Sequence, residues 1–141
     1  MNPPHAIAVG LVQTVLLTIF AAGWWLRIQL PMVLGLRTDP MPDLAVVPGS
    51  PRDYTAHPSS AALVVEVSDT TLQFDTNDKR LLYAEARIPE YWVLDLNAGE
   101  LLVFRDPNGT DYNTRQVLGP ADAVSPLAAR TATVQVADLL P

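Results

Sequence analysis

The sequence contains no cysteine, which removes disulfides, thiolate-bound metals and cysteine nucleophiles together. It also lacks a phosphate-cradling glycine loop, a serine nucleophile elbow and the ligand spacing of zinc sites. Histidine is scarce: His5 and His57 stand far apart with no partner pattern, and both are expected on the surface or in loops. Positive charge is scarce too, with 9 Lys and Arg against 15 Asp and Glu for a formal net charge of −6. Cationic side chains supply most nonspecific nucleic-acid affinity, so this balance argues against a protein that coats DNA. An enzyme acting on nucleic acid is still allowed, because Lys79, Arg80 and Arg87 can mark a local substrate face and a divalent ion would offset two carboxylates. No internal repeat or low-complexity tract is present.

What is there fits one globular domain. Hydrophobic residues make up 49% of 141 positions and charged residues 17%, enough apolar content for a core and too little charge for a disordered chain. The uncharged run from Ala6 to Leu26 is long enough, at ~1.5 Å per residue, to cross a bilayer core of about 30 Å. No lysine or arginine precedes it, and Gln13, Thr14 and Thr18 form a polar side. A helix from Ile7 to Ala22 packed on a sheet is therefore expected, without stable membrane association, and the absence of cysteine is compatible with a cytoplasmic location.

Downstream, the punctuation is clear. Trp25 to Leu30 alternates like a strand, and Leu44 to Val47 and Ala62 to Val67 are short continuous apolar runs typical of strands covered on both faces. Asp75 or Thr76 offers an N-cap for a helix through about Ala86, which places Lys79 and Tyr83 four apart on one side. Tyr91 to Asp95 reads as a further strand, and Leu101 to Phe104 with Tyr112 to Val117 reads as a hairpin around Asn108-Gly109.

Two acids interrupt this apolar pattern. Asp43 precedes Leu44 to Val47, and Glu66 lies inside Leu63 to Val67. A buried carboxylate costs several kcal/mol or more unless a cation or hydrogen bonds compensate, so acids on neighbouring strands suggest a shared metal ion. Taken alone, each acid reads more readily as a strand-edge group bonded to backbone or arginine, and Glu66 with Lys79 as a structural salt bridge.

The series Pro42-Asp43-Leu44-Ala45-Val46-Val47, Val64-Val65-Glu66-Val67-Ser68-Asp69-Thr70-Thr71, Phe74-Asp75 with Lys79 and Leu82-Tyr83, then Ile88-Pro89-Glu90-Tyr91-Trp92 and Leu94-Asp95, resembles the Uma-two family of restriction-endonuclease-like proteins. That family is placed in the PD-(D/E)XK nuclease superfamily, so the resemblance implies an α/β fold, a mixed sheet flanked by helices. It also implies Mg²⁺- or Mn²⁺-dependent hydrolysis of phosphodiester bonds, with DNA as substrate. By the same resemblance Asp43 and Glu66 bind metal and act in catalysis together with Lys79, and the Val67 carbonyl completes the ligand set. Asp69, Asp75 and Tyr83 are expected around them, Asp75 chiefly as a helix cap and Tyr83 either touching substrate or buried with a satisfied hydroxyl.

Departures from the pattern matter as well. Ser68 stands where the usual lysine follows the motif acid, and Lys79 on the next helix takes its place. The domain, expected to span 1–141, begins where relatives carry a further segment with a glutamate, and Arg87 replaces a usual glycine. A noncatalytic binding or assembly module with the nuclease fold is the alternative these departures support. Trp24, Trp25 and the late hairpin offer apolar surface for a homodimer.

Overall fold

A computed structural model describes residues 2–35, 39–69 and 72–141, with the side chains of 72–77 outside that description. Six strands form one sheet in the order β1-β2-β3-β4-β5-β6. They are β1 (Trp24–Ile28), β2 (Leu44–Pro48), β3 (Leu63–Ser68), β4 (Glu90–Asp95), β5 (Glu100–Pro107) and β6 (Tyr112–Leu118). Neighbours run antiparallel except β3 and β4, which are parallel and joined by helix α2 (Leu72–Glu85). A parallel pair needs such a crossover, and ligands in sheets of this kind bind at the carboxyl ends of the parallel strands. The expected mixed sheet flanked by helices is what the chain forms.

Period-2 alternation sorts the apolar side chains into two cores. On one face Leu44, Val46, Leu63, Val65, Trp92 and Leu94 pack with helix α1 (Pro3–Ile19), whose Ala8, Val9, Val12 and Leu16 are buried. On the other, Ala45, Val47, Val64, Tyr91 and Val93 pack with Tyr83 and Ala84 of α2. A small antiparallel pair, β7 (Ala123–Val124) and β8 (Val134–Gln135), carries the C-terminal segment onto the α1 face, where Val136 and Leu139 join the core. Among the described residues no helix is long and apolar enough to cross a membrane.

Both helices start earlier than expected, while α2 ends at Glu85, within one residue of the expected Ala86. Helix α1 begins at Pro3, not Ile7, because the Asn2 side chain accepts from the His5 backbone N–H at 2.9 Å and prolines suit the first helical positions, whose N–H groups have no helical partner anyway. It ends at Ile19, ahead of the expected Ala22. Helix α2 begins at Leu72, so Asp75 lies inside the helix and is not its cap; the Asp75 side chain lies outside the described residues. At the other end Arg87 takes the glycine role with φ 62°, while Ile88 N–H donates to the Tyr83 carbonyl and Arg87 N–H to the Ala84 carbonyl, both at 3.0 Å. This is the paired bonding that closes a helix through a left-handed residue.

The Pro-Glu-Tyr-Trp block, so prominent in the sequence, has a structural use. Glu90 is fully buried and accepts from Trp92 Nε1 at 2.8 Å, Arg105 Nε at 2.8 Å and the Leu127 backbone N–H at 2.9 Å. Arg105 Nη2 lies 2.7 Å from the same carboxylate and also donates to the Ser125 carbonyl. Strand β4, strand β5 and the C-terminal segment therefore meet on one compensated buried charge.

Candidate active site

Asp43 ends the segment leading into β2, and Glu66 lies near the carboxyl end of β3, so antiparallel pairing of these strands brings both acids to one edge of the sheet. Helix α2 passes over the Glu66 side of the sheet and supplies Lys79 and Tyr83. The start of α1 supplies His5. These elements enclose a pocket of about 250 Å³ lined by Asp43, Glu66, Val67, Asp69, Lys79 and Tyr91, with His5 and Met41 at its wall.

Each carboxylate is held in a different way. Asp43 Oδ2 accepts the Val67 backbone N–H at 2.8 Å and lies 3.3 Å from His5 Nε2. Its Oδ1 accepts no hydrogen bond from a described residue, so one oxygen is pinned while the other remains available. Glu66 Oε1 accepts from the Tyr83 hydroxyl at 2.9 Å, and Oε2 lies 3.5 Å from Lys79 Nζ and 3.4 Å from the Asp43 backbone nitrogen.

Glu66 is under-compensated. Burial pushes its carboxyl from 4.5 up to about 7, and Asp43 adds repulsion, against the lowering effects of Lys79, the Tyr83 hydroxyl and the Asp43 N–H. The Lys79 side chain is 44% exposed, so water screens its share of the compensation. Tyr83, by contrast, is buried, and desolvation followed by the Glu66 charge drives its phenol far above the usual range. It therefore acts as a fixed donor that orients Glu66.

The three residues singled out by pattern, Asp43, Glu66 and Lys79, thus converge. Val67 contributes to the same point through its N–H, which orients Asp43, and lines the pocket beside it. Asp69 is at the pocket and is bonded by the Asn2 side chain. Tyr83 resolves to the buried alternative, its hydroxyl spent on Glu66.

One residue of the site was misplaced by sequence reasoning. His5 was expected without a partner, yet the first turn of α1 sets it against Asp43; the signal lay in Asn2-Pro3-Pro4, a helix start that would have put His5 at the sheet edge. His57 is the exposed loop residue expected, with its Nδ1 3.3 Å from Arg27 Nη2. Tyr91 was read only as part of a strand, although it lines the pocket.

The donor set suits one kind of metal. Among the described residues no group of three His, Asp or Glu side chains is poised to close on a single ion. Two carboxylates facing one pocket, one with a free oxygen and the other buried beyond what its cation offsets, fit an ion that keeps most of its water. That is the habit of Mg²⁺, which takes one or two carboxylates and retains several waters.

Comparison with known proteins bears on the family and the fold. No curated protein matches the chain. Among solved structures, a protein described as a putative nuclease belonging to DUF820 from Anabaena variabilis ATCC 29413 superposes with a TM-score of 0.77 at 16% identity, over 99% of this chain and 81% of that one. At that identity the likeness speaks for the fold, which is a nuclease-like one. The family model described as "Uma2: Putative restriction endonuclease" matches residues 1–137, nearly the whole sequence, and on that match the chain belongs to the Uma2 restriction-endonuclease family.

Proposed function

We propose that this chain is a divalent-metal-dependent endonuclease that hydrolyses phosphodiester bonds in DNA. The observation that carries the reading is the convergence of Asp43, Glu66 and Lys79 on one pocket at the carboxyl end of β3. Asp43 and Glu66, with the Val67 carbonyl, would hold Mg²⁺ or Mn²⁺. Held there, such an ion would supply an activated water and offset charge on phosphoryl oxygens.

The protein groups do the rest. His5 and the Val67 N–H fix the Asp43 carboxylate, and the Tyr83 hydroxyl fixes Glu66. Lys79, on its flexible stem at the pocket mouth, orients the attacking water or balances the extra negative charge of the transition state. Its partial exposure keeps the ammonium free to move from Glu66 toward a phosphate.

Supercoiled plasmid incubated with Mn²⁺ or Mg²⁺ tests the proposal. Nicking by the wild type is expected, with a loss of at least about 100-fold in Lys79→Ala, the scale of removing one charge-stabilising donor, and a loss at least as large in Asp43→Ala, which removes a proposed metal ligand. Absence of nicking together with absence of Mn²⁺ binding by calorimetry would instead support a noncatalytic module with the nuclease fold.

A further inference from the structure

The chain has four tyrosines, and three of their hydroxyls have clear uses. Tyr54 donates to the Pro48 carbonyl at 2.6 Å, Tyr83 to Glu66 Oε1 at 2.9 Å and Tyr112 to the Ile88 carbonyl at 2.7 Å. Tyr91 is different. It is 1% exposed, yet its hydroxyl makes no hydrogen bond to any described residue.

Packing accounts for the ring alone. Tyr83, Phe104 and Tyr112 surround it with centroid separations of 4.9, 5.8 and 6.4 Å, contacts that a phenylalanine would keep. Its oxygen is not among the sealed, unpaired polar atoms of the described residues, so it opens onto the pocket, where a ligand can offer the acceptor that no described residue supplies. Tyr91 lines the same pocket as Asp43 and Glu66. Burial raises its phenol well above the ordinary value, and the charges of Glu66 and Asp43 raise it further, so both carboxylates are within electrostatic reach and the group stays protonated.

We infer that Tyr91 contacts substrate in the nuclease pocket, donating its O–H to a non-bridging phosphate oxygen of the bound DNA strand. The inference rests on the nuclease reading above. Its chemistry answers a difficulty of the site: Asp43, Glu66 and Asp69 present negative charge to an anionic substrate. A neutral donor held protonated attracts a phosphate oxygen without competing with a cation for the carboxylates.

The test is Tyr91→Phe, which removes one oxygen and keeps the ring. Three measurements are made on wild type and variant: thermal stability, Mn²⁺ affinity by calorimetry, and affinity for a short duplex oligonucleotide by fluorescence anisotropy with Ca²⁺ as the divalent ion. Expected are unchanged or raised stability, unchanged Mn²⁺ affinity and DNA binding weaker by about tenfold, the scale of one hydrogen bond to a charged acceptor. Equal DNA affinity in the two proteins would overturn the inference and leave the nuclease reading standing. Lower stability in the variant would show a structural partner for the hydroxyl, and lower Mn²⁺ affinity would show that it serves the metal; either result overturns the inference. A wild type that binds neither Mn²⁺ nor DNA would overturn both readings.

Discussion

At the scale of single residues, the chain tolerates at Glu66 what it avoids elsewhere. Glu90 is equally buried but fully bonded, whereas Glu66 depends on a tyrosine, a half-exposed lysine and one long backbone contact. The consequence for stability follows from the sign of the shift. With a folded value near 7 against 4.5 for the ordinary group, the folded protein holds a proton that the unfolded chain has released. The associated stability is complete below about pH 4.5 and is lost as pH rises through about 7. Urea melts in EDTA at about pH 5 and about pH 8 should show the wild type losing on the order of 2–3 kcal/mol, and Glu66→Gln losing little. His5 gives a second prediction at this scale. Because it pins the oxygen of Asp43 that also meets the Val67 N–H, His5→Ala should weaken Mn²⁺ binding about tenfold, the lower end of the effect of removing a group that orients a ligand. Calorimetry decides it, and an unchanged affinity would remove His5 from the site.

At the scale of elements, the crossover from β3 through α2 to β4 builds one wall of the pocket and sets the position of Lys79. Its closing turn carries strain, because Arg87 adopts a left-handed conformation that costs an L-residue roughly 1–2 kcal/mol. Glycine at this position would pay back part of that in chain entropy and would lose the contact of the guanidinium with Gly109. Arg87→Gly is expected to stabilise the protein by roughly 0.5–1 kcal/mol, read as a higher urea midpoint at constant slope. A lower midpoint would mean that packing on the hairpin outweighs the backbone strain. The strands themselves were legible because continuous apolar runs such as Leu63 to Val67 have one favourable place, the middle of a sheet covered on both sides. Helix starts were less legible. Two prolines at the head of α1 look like a loop until the Asn2 cap is seen, and Asp75 resembles a cap although the helix is already under way.

For the whole molecule, the C-terminal segment is tied to the sheet at one charge. Glu90→Ala would leave the Arg105 guanidinium without its carboxylate and release the Leu127 N–H. A loss of about 3–5 kcal/mol is expected by urea denaturation, with proteolysis beginning in the segment after Ser125. If hydrolysis began elsewhere, the network would not be what anchors this segment. The acidic surface acts at the same scale: with a net charge of −6 the protein has little to gain from counterion release, so the DNA substrate proposed above would be drawn chiefly by local cations such as Lys79.

By itself the sequence determined the strand runs, the two helices and the identity of the acids, since periodicity and the cost of burying charge are local properties written residue by residue. It also determined the family, through short blocks spread along almost its full length. Only the tertiary structure decided what these residues do to one another. That His5 meets Asp43, that the Tyr83 hydroxyl bonds Glu66, that Tyr91 lines the same pocket and that Glu90 anchors the tail are facts about distances between segments far apart in the chain. Those distances arise from sheet pairing and helix docking, for which one sequence read position by position carries no direct signal.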